Sequence, residues 1–208
     1  MAKNTRISWC HSTWNPWIGC TKVSPGCDHC YAEAQDARGR WDGGRKHWGP
    51  GVTRYRTSAG NWNHPIRWNA EAKRTGKRHL VFCASLADVV DNEVPWEWRR
   101  DLFHLIRCTP TLTWLLLTKR IGNAERMIEQ AVIESAPHER DHFWPWPHVW
   151  LGASIVNQEE ADRDIPKLLA TPAAKRFVSY EPALGPVDWS QWLYGSPRLD
   201  WIIVGGES

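Results

Sequence analysis

The chain has 208 residues, a formal net charge of +3 and 42% hydrophobic residues. That length suits one domain with a full core better than two small ones. No apolar run approaches the roughly 18 residues of a membrane span, and the opening MAKNTR leads into Ile7-Ser8-Trp9 instead of an apolar signal core. A cytoplasmic protein with no membrane partner is expected.

A first strand is expected within 7–19, ahead of the run GCTKVSPGCDHCY that carries Cys20, Cys27 and Cys30. Three soft thiolates so close in sequence can converge on one metal centre. A 4Fe–4S cluster held by three cysteines keeps one iron open to an outside ligand, the premise of S-adenosylmethionine (SAM) radical chemistry. Structural zinc is the competing reading, but it normally closes with four ligands, and Cys10, His11 or His29 would have to supply the fourth. Clustered cysteines in a reducing compartment are metal ligands more often than crosslinks. Cys83 and Cys108 sit in apolar stretches and read as small buried hydrophobes.

A helix is expected over 31–38. Beyond it, Arg38, Arg40, Arg45, Lys46, Arg54, Arg56, Arg67, Lys73, Arg74, Lys77 and Arg78 are opposed only by Asp42 and Glu71. Trp41, Trp48, Trp62 and Trp68 are interleaved with them, a pattern suited to stacking on bases while cations hold a phosphate backbone. A solvated loop with a basic bias is the plainer reading. The stretch 39–76 shows little periodicity and reads as an insertion covering the mouth of the fold.

After residue 75, strand candidates at 79–83, 113–118, 148–152, 176–179 and 200–204 alternate with helical patterns at 95–106, 124–135 and 158–170. Strand–helix alternation implies a parallel sheet, because parallel neighbours need a crossover. The expected fold is α/β: a single domain over 1–208 forming a partial (β/α)6 barrel of the TIM type, ending just after its sixth strand. Each strand is followed by polar residues: Ser85 and Asp88, Lys119 and Arg120, Ser154, Glu181, then Glu207 and Ser208. In (β/α) barrels such strand ends build the active site. Bland alternatives exist for each: Asp88 as a helix N-cap, Lys119 and Arg120 as a solvated pair, Glu181 as their ion-pair partner.

The segment TWNPWIGCTKVSPGCDHCYAE from Thr13 to Glu33 resembles the signature of a phage and bacterial family of three-cysteine proteins regarded as radical-SAM-like. The blocks FCASLAD ending at Asp88, LLLTKR ending at Arg120, YEPALGP from Tyr180 and VGGES from Val204 agree with it. The resemblance implies a radical SAM barrel in the cytoplasm of a bacterial or phage-infected cell. It implies a 4Fe–4S cluster on Cys20, Cys27 and Cys30, SAM on the fourth iron, and an external reductant. Ser85, Asp88, Lys119, Ser154 and Glu181 become candidate SAM contacts, and Thr13, Trp14, Asn15 and Pro16 shape the entry to the cysteine loop. The chain departs from the common radical-SAM pattern in its C-x6-C-x2-C spacing, in His29 before the third cysteine, and in lacking Gly-Gly-Glu after strand two. The implied activity is hydrogen abstraction from a substrate, with a nucleic acid or nucleotide suggested by the basic segment. The alternative is a zinc-stabilised, non-catalytic nucleic-acid-binding protein.

Overall fold

The computed structural model describes residues 5–136 and 143–205. In chain order its strands are β1 (Ser12–Thr13), β2 (Trp17–Ile18), β3 (Tyr55–Arg56), β4 (His79–Cys83), β5 (Leu112–Thr118), β6 (Val149–Ser154), β7 (Lys175–Tyr180) and β8 (Trp201–Val204). The helices are α1 (Tyr31–Ala37), α2 (Ala59–Thr75), α3 (Trp96–Arg107), α4 (Ile121–Ser135), α5 (Gln158–Ala170) and α6 (Ser190–Leu193). Six strands form one parallel sheet in the order β1-β4-β5-β6-β7-β8, which curls into an open half-barrel, while β2 and β3 pair antiparallel beside it.

Sequential crossovers of one hand place the helices on one face of such a sheet. On that face Val81, Cys83, Trp114, Leu116, Leu151 and Val178 pack against Leu102, Phe103 and Ile106 of α3, Ile128 of α4 and Ile165 of α5. The alternate residues Phe82, Leu115, Phe177 and Ile203 point into the curl, joined by Cys10, Trp9, Trp150 and Trp201. Covering both faces explains why β5 is almost continuously apolar. Gly152 is required on the inner face, because a Cβ there would stand 2.4 Å from Phe177 Cζ.

The stretch expected to be an aperiodic insertion contains α2, the crossover helix that leads from β1 to β4. Ser58 caps it by accepting a hydrogen bond from Asn61 N, and Gly76 ends it with φ +65°. Its buried residues Asn61, Pro65, Trp68 and Ala72 form one helical stripe. Pro65 lacks the N–H that would bond the carbonyl of Asn61. Trp14 Nε1 donates to that carbonyl instead, at 3.0 Å. Only the part before residue 58 is irregular, and the β2–β3 pairing pins it.

Candidate functional site

Parallel strands bring their C-terminal ends to one end of the sheet, and the cysteine loop lies across that end. Gly19 N donates to Leu86 O (3.1 Å), tying the loop's start to the segment after β4. At its crown, a Cβ on Gly26 would meet Val156 Cγ1 after β6 at 2.6 Å and Lys119 Cε after β5 at 3.4 Å. At its exit, Tyr31 Oη donates to Ser85 O (2.6 Å). The motif before the loop is structural, as expected. Asn15 Nδ2 donates to Ser85 Oγ and Asn15 Oδ1 accepts from Leu86 N, while Asn15 O accepts from Asn61 Nδ2 and Thr57 Oγ1.

Cys20, Cys27 and Cys30 are free thiols, each partly exposed. Cys27 closes a short 3-10 turn, Pro25–Cys27, and Cys30 occupies the N-cap position of α1. Cys20 is held from behind: Arg120 Nη1 donates to its Sγ at 3.2 Å and Arg120 Nη2 donates to Thr21 O at 2.6 Å. Arg54 Nη2 grips the same residue through Thr21 Oγ1 at 2.7 Å. Burial and the neighbouring Asp88 push the Cys20 thiol up to about 11, against the opposing pull of Arg120. Free of metal, Cys20 is therefore protonated at neutral pH.

Both arginines are charge-paired beneath the loop. Arg120 bonds Asp88 Oδ2 (3.2 Å), and Arg54 bonds Asp91 Oδ2 (2.8 Å) and Glu93 Oε2 (3.3 Å). Burial disfavours charge on Arg120, but Asp88, Cys20 and Asp91 outweigh it and raise its pKa above the ordinary value.

The expected site residues fall into two groups. Ser154 lies on the inner face of β6 and pairs in register with Ser179. Lys119 and Glu181 each follow a strand end with the same alternation as the inward Leu117 and Phe177. Glu181 reaches Gly205, where a Cβ would stand 2.8 Å from its carboxyl carbon. By this alternation the three belong to the same face of the sheet as Trp150, Phe177 and Trp201, with Ser154 buried. Asp88 is buried, and half-buried Ser85 accepts from Asn15 Nδ2 and Tyr31 Oη. Asp88 accepts from Thr118 Oγ1, Val90 N, Lys119 N and Arg120 Nη1, which makes it a brace for the β5 end and for Arg120. Glu207 and Ser208 lie outside the described residues.

Of the zinc-reading ligands, His11 Nδ1 accepts from Leu80 N near the opposite end of β4. Cys10 sits in the apolar interior, where burial pushes its thiol up to about 12, and His29 is exposed. Among the described residues, no three His, Cys, Asp or Glu side chains already converge as a metal-binding group.

A family model matches residues 4–208. The chain belongs to DUF5131, a family of proteins of unknown function. No curated protein and no solved structure matches it significantly. No helix among the described residues is long and apolar enough to cross a membrane.

In this DUF5131 chain the basic, Trp-rich segment divides. Arg54 is wholly buried, and its Nη1 also donates to the carbonyls of His47, Gly49 and Val52. Arg56 pairs with Asp101 and stacks over Trp62. Arg78 donates to Thr113 and covers Trp150. Trp68 is buried in the core. Arg54 and Trp68 are thus internal struts, Arg56 is half-buried in its ion pair, and Arg78 lies exposed over Trp150. Lys73, Arg74 and Lys77 are exposed, but they lead into the start of β4, at the end of the sheet away from the cysteines. Arg38, Arg40, Arg45 and Lys46 are exposed just past α1. Arg54 and Asp91 carry no sequence signal that separates them from surface charges, and Tyr31 reads as an ordinary helix residue. The surrounding protein pushes the Tyr31 phenol up to about 12 against its bond to Ser85, with the charges of Cys30, Glu181 and Cys10 acting in the same direction.

Proposed function

We propose that this protein is a radical SAM-type enzyme whose cluster ligands are Cys20, Cys27 and Cys30. The observation that carries the reading is the position of three free thiols in one loop laid over the C-terminal ends of six parallel strands. Three soft thiolates on one loop suit an iron–sulfur cluster chemically. Since the thiols are not drawn together as a preformed group, binding would be coupled to closure of the loop and to loss of the Cys20 proton. A 4Fe–4S cluster bound there would supply reductive cleavage of SAM to a 5′-deoxyadenosyl radical, using electrons from an external reductant.

The chain's own residues then have distinct tasks. Arg120 holds the Cys20 sulfur and the Thr21 carbonyl, and Arg54 holds the Thr21 hydroxyl, so the first ligand is placed before the other two. Lys119, Ser154 and Glu181 offer cation, hydroxyl and carboxylate to the polar groups of SAM on that face of the sheet. The aromatic residues of the same face keep water from the interior. Seven-residue α1 spans about 10 Å, so the exposed Arg38, Arg40, Arg45 and Lys46 flank the loop at a distance suited to a polyanion. A nucleic acid or nucleotide is the substrate class this favours.

The test is anaerobic reconstitution with iron and sulfide. The expected product is a brown protein holding about four irons per chain, which Cys20→Ala, Cys27→Ala and Cys30→Ala each lose, and which releases 5′-deoxyadenosine from SAM when reduced. A colourless preparation that retains zinc and takes up no iron overturns the reading in favour of a zinc-stabilised module.

A further inference from the structure

Cys108, expected from its apolar neighbours to be buried, is exposed at the C-cap of α3. Its Sγ lies 3.7 Å from Nε2 of His104, one turn earlier on the same helix. The second ring nitrogen of His104 faces the carbonyl of Ser135, at the end of α4, at 3.1 Å. A carbonyl only accepts, so Nδ1 carries the ring proton and Nε2 presents a bare lone pair toward the thiol. That is the arrangement found around metal-binding histidines, where a backbone carbonyl fixes the tautomer and orients the ring.

The spacing also matches. A tetrahedral zinc ion with Zn–N about 2.05 Å and Zn–S about 2.3 Å holds its nitrogen and sulfur about 3.6 Å apart, and the two atoms here are at 3.7 Å. A residue pair at i and i+4 projects from one face of a helix, so no backbone movement is needed to share an ion. The last turn of a twelve-residue helix adds the negative end of its dipole, which favours a cation there.

From these observations we infer that His104 and Cys108 form a surface site for a borderline divalent metal ion of the Zn2+ type, separate from the cysteine loop. The protein supplies two ligands, His104 Nε2 and the Cys108 thiolate, and releases the thiol proton on binding. Water or an added ligand fills the remaining positions. Nitrogen and sulfur donors select Zn2+ over Mg2+, which demands oxygen.

The test is the alkylation rate of Cys108 by iodoacetamide, read by mass spectrometry on the peptide that carries it. The readout is thereby separate from the loop thiols and from cluster loading. Saturating Zn2+ should slow alkylation at Cys108 by about tenfold or more, because the free thiolate is the reactive species. The same concentration of Mg2+ should leave the rate unchanged. In His104→Ala, with folding checked by circular dichroism, the zinc effect should disappear. Equal protection in His104→Ala, equal protection by Mg2+, or no protection in the unaltered protein each overturns the site.

Discussion

Arg120 Nη1 stands 3.2 Å from both Cys20 Sγ and Asp88 Oδ2, so one nitrogen links the first loop cysteine to a buried carboxylate. Asp88 follows β4, Arg120 follows β5 and Cys20 follows β2, which means that three chain segments meet at one guanidinium. Such a contact is charge-assisted and directional. It also separates the cysteines, because Cys20 is tethered to the sheet while Cys27 and Cys30 belong to the loop and to the start of α1. If the loop binds a cluster, Arg120 becomes a hydrogen-bond donor to a ligand sulfur, one of the levers that set reduction potential.

Asp88→Ala should destabilise the fold by about 3 kcal/mol, because it removes the nearer carboxylate from the buried Arg120 and leaves only Asp91, at 3.9 Å. It also strips acceptors from Thr118 Oγ1 and from the backbone of Val90 and Lys119. Denaturant unfolding measures this. Adding Arg120→Met should recover part of the loss, since the two side chains share one network. Additive losses would show that the two residues act separately.

The Trp14–Asn61 hydrogen bond replaces one that Pro65 cannot make. Trp14→Phe keeps most of the ring but abandons a buried carbonyl, at a cost of about 1–3 kcal/mol. Pairing it with Pro65→Ala, which restores the helical donor, should reduce that cost. Equal losses from Trp14→Phe in both backgrounds would mean that ring packing dominates.

Gly152→Ala should cost about 1–3 kcal/mol through overpacking, since the new methyl meets the Phe177 ring. Phe177→Leu in the same chain opens the space, and the double variant should be more stable than the sum of the single changes predicts. Thermal melts of the four proteins decide it.

The later part of the fold is legible because β4 to β8 have apolar centres bounded by turns, and the apolar residues of α3 and α5 recur at helical spacing even though Arg99, Glu160 and Asp164 are buried beside them. The expected 79–83 strand coincides with β4, and the expected 158–170 helix with α5. α2 is concealed because its buried stripe contains Asn61 and Pro65, and its N-terminal turn is supported by Ser58 and Trp14 more than by intrinsic propensity. The strand ends were identifiable as a polar ring, but their division was not. Whether Asp88 or Glu181 turns inward depends on alternation beyond the strand and on what lies below. Only the packed structure shows that Arg120 claims Asp88. The same limit hid Arg54, whose charge in sequence resembles that of its exposed neighbours.

His148 predicts a pH dependence. Its ring stacks on Trp146 and its Nε2 donates to Ile106 O. Burial lowers its pKa below the ordinary 6.5, partly offset by that carbonyl. The folded state thus binds a proton less readily than the unfolded chain. The stabilisation is present above pH 6.5 and is lost as pH falls through the lowered value. Melting temperatures taken from about pH 7 down to about pH 5 should fall. The fall should be shallower in His148→Gln, which keeps a donor for Ile106 O and cannot titrate. Parallel curves would assign the acid sensitivity to other groups.

The division of the basic segment gives the sharpest contrast between surface and strut. Arg38, Arg40, Arg45 and Lys46 are exposed, so changing all four to Gln should leave the melting temperature nearly unchanged. If they hold a polyanion, the variant should bind single-stranded DNA or RNA more weakly. The slope of log affinity against log salt should also flatten, by about 0.7 for each lost phosphate contact on a single strand. Arg54→Gln should act in the opposite way. It removes the closer of the two guanidinium partners of buried Asp91, leaving Arg120 at 3.9 Å, and takes donors from three loop carbonyls, so it should cost about 3 kcal/mol. Any loss of nucleic-acid binding in Arg54→Gln should then follow the unfolded fraction. Fluorescence anisotropy across a salt series, run beside thermal melts, separates the two. An unchanged salt slope in the four-residue variant would remove the polyanion from the proposed substrate classes.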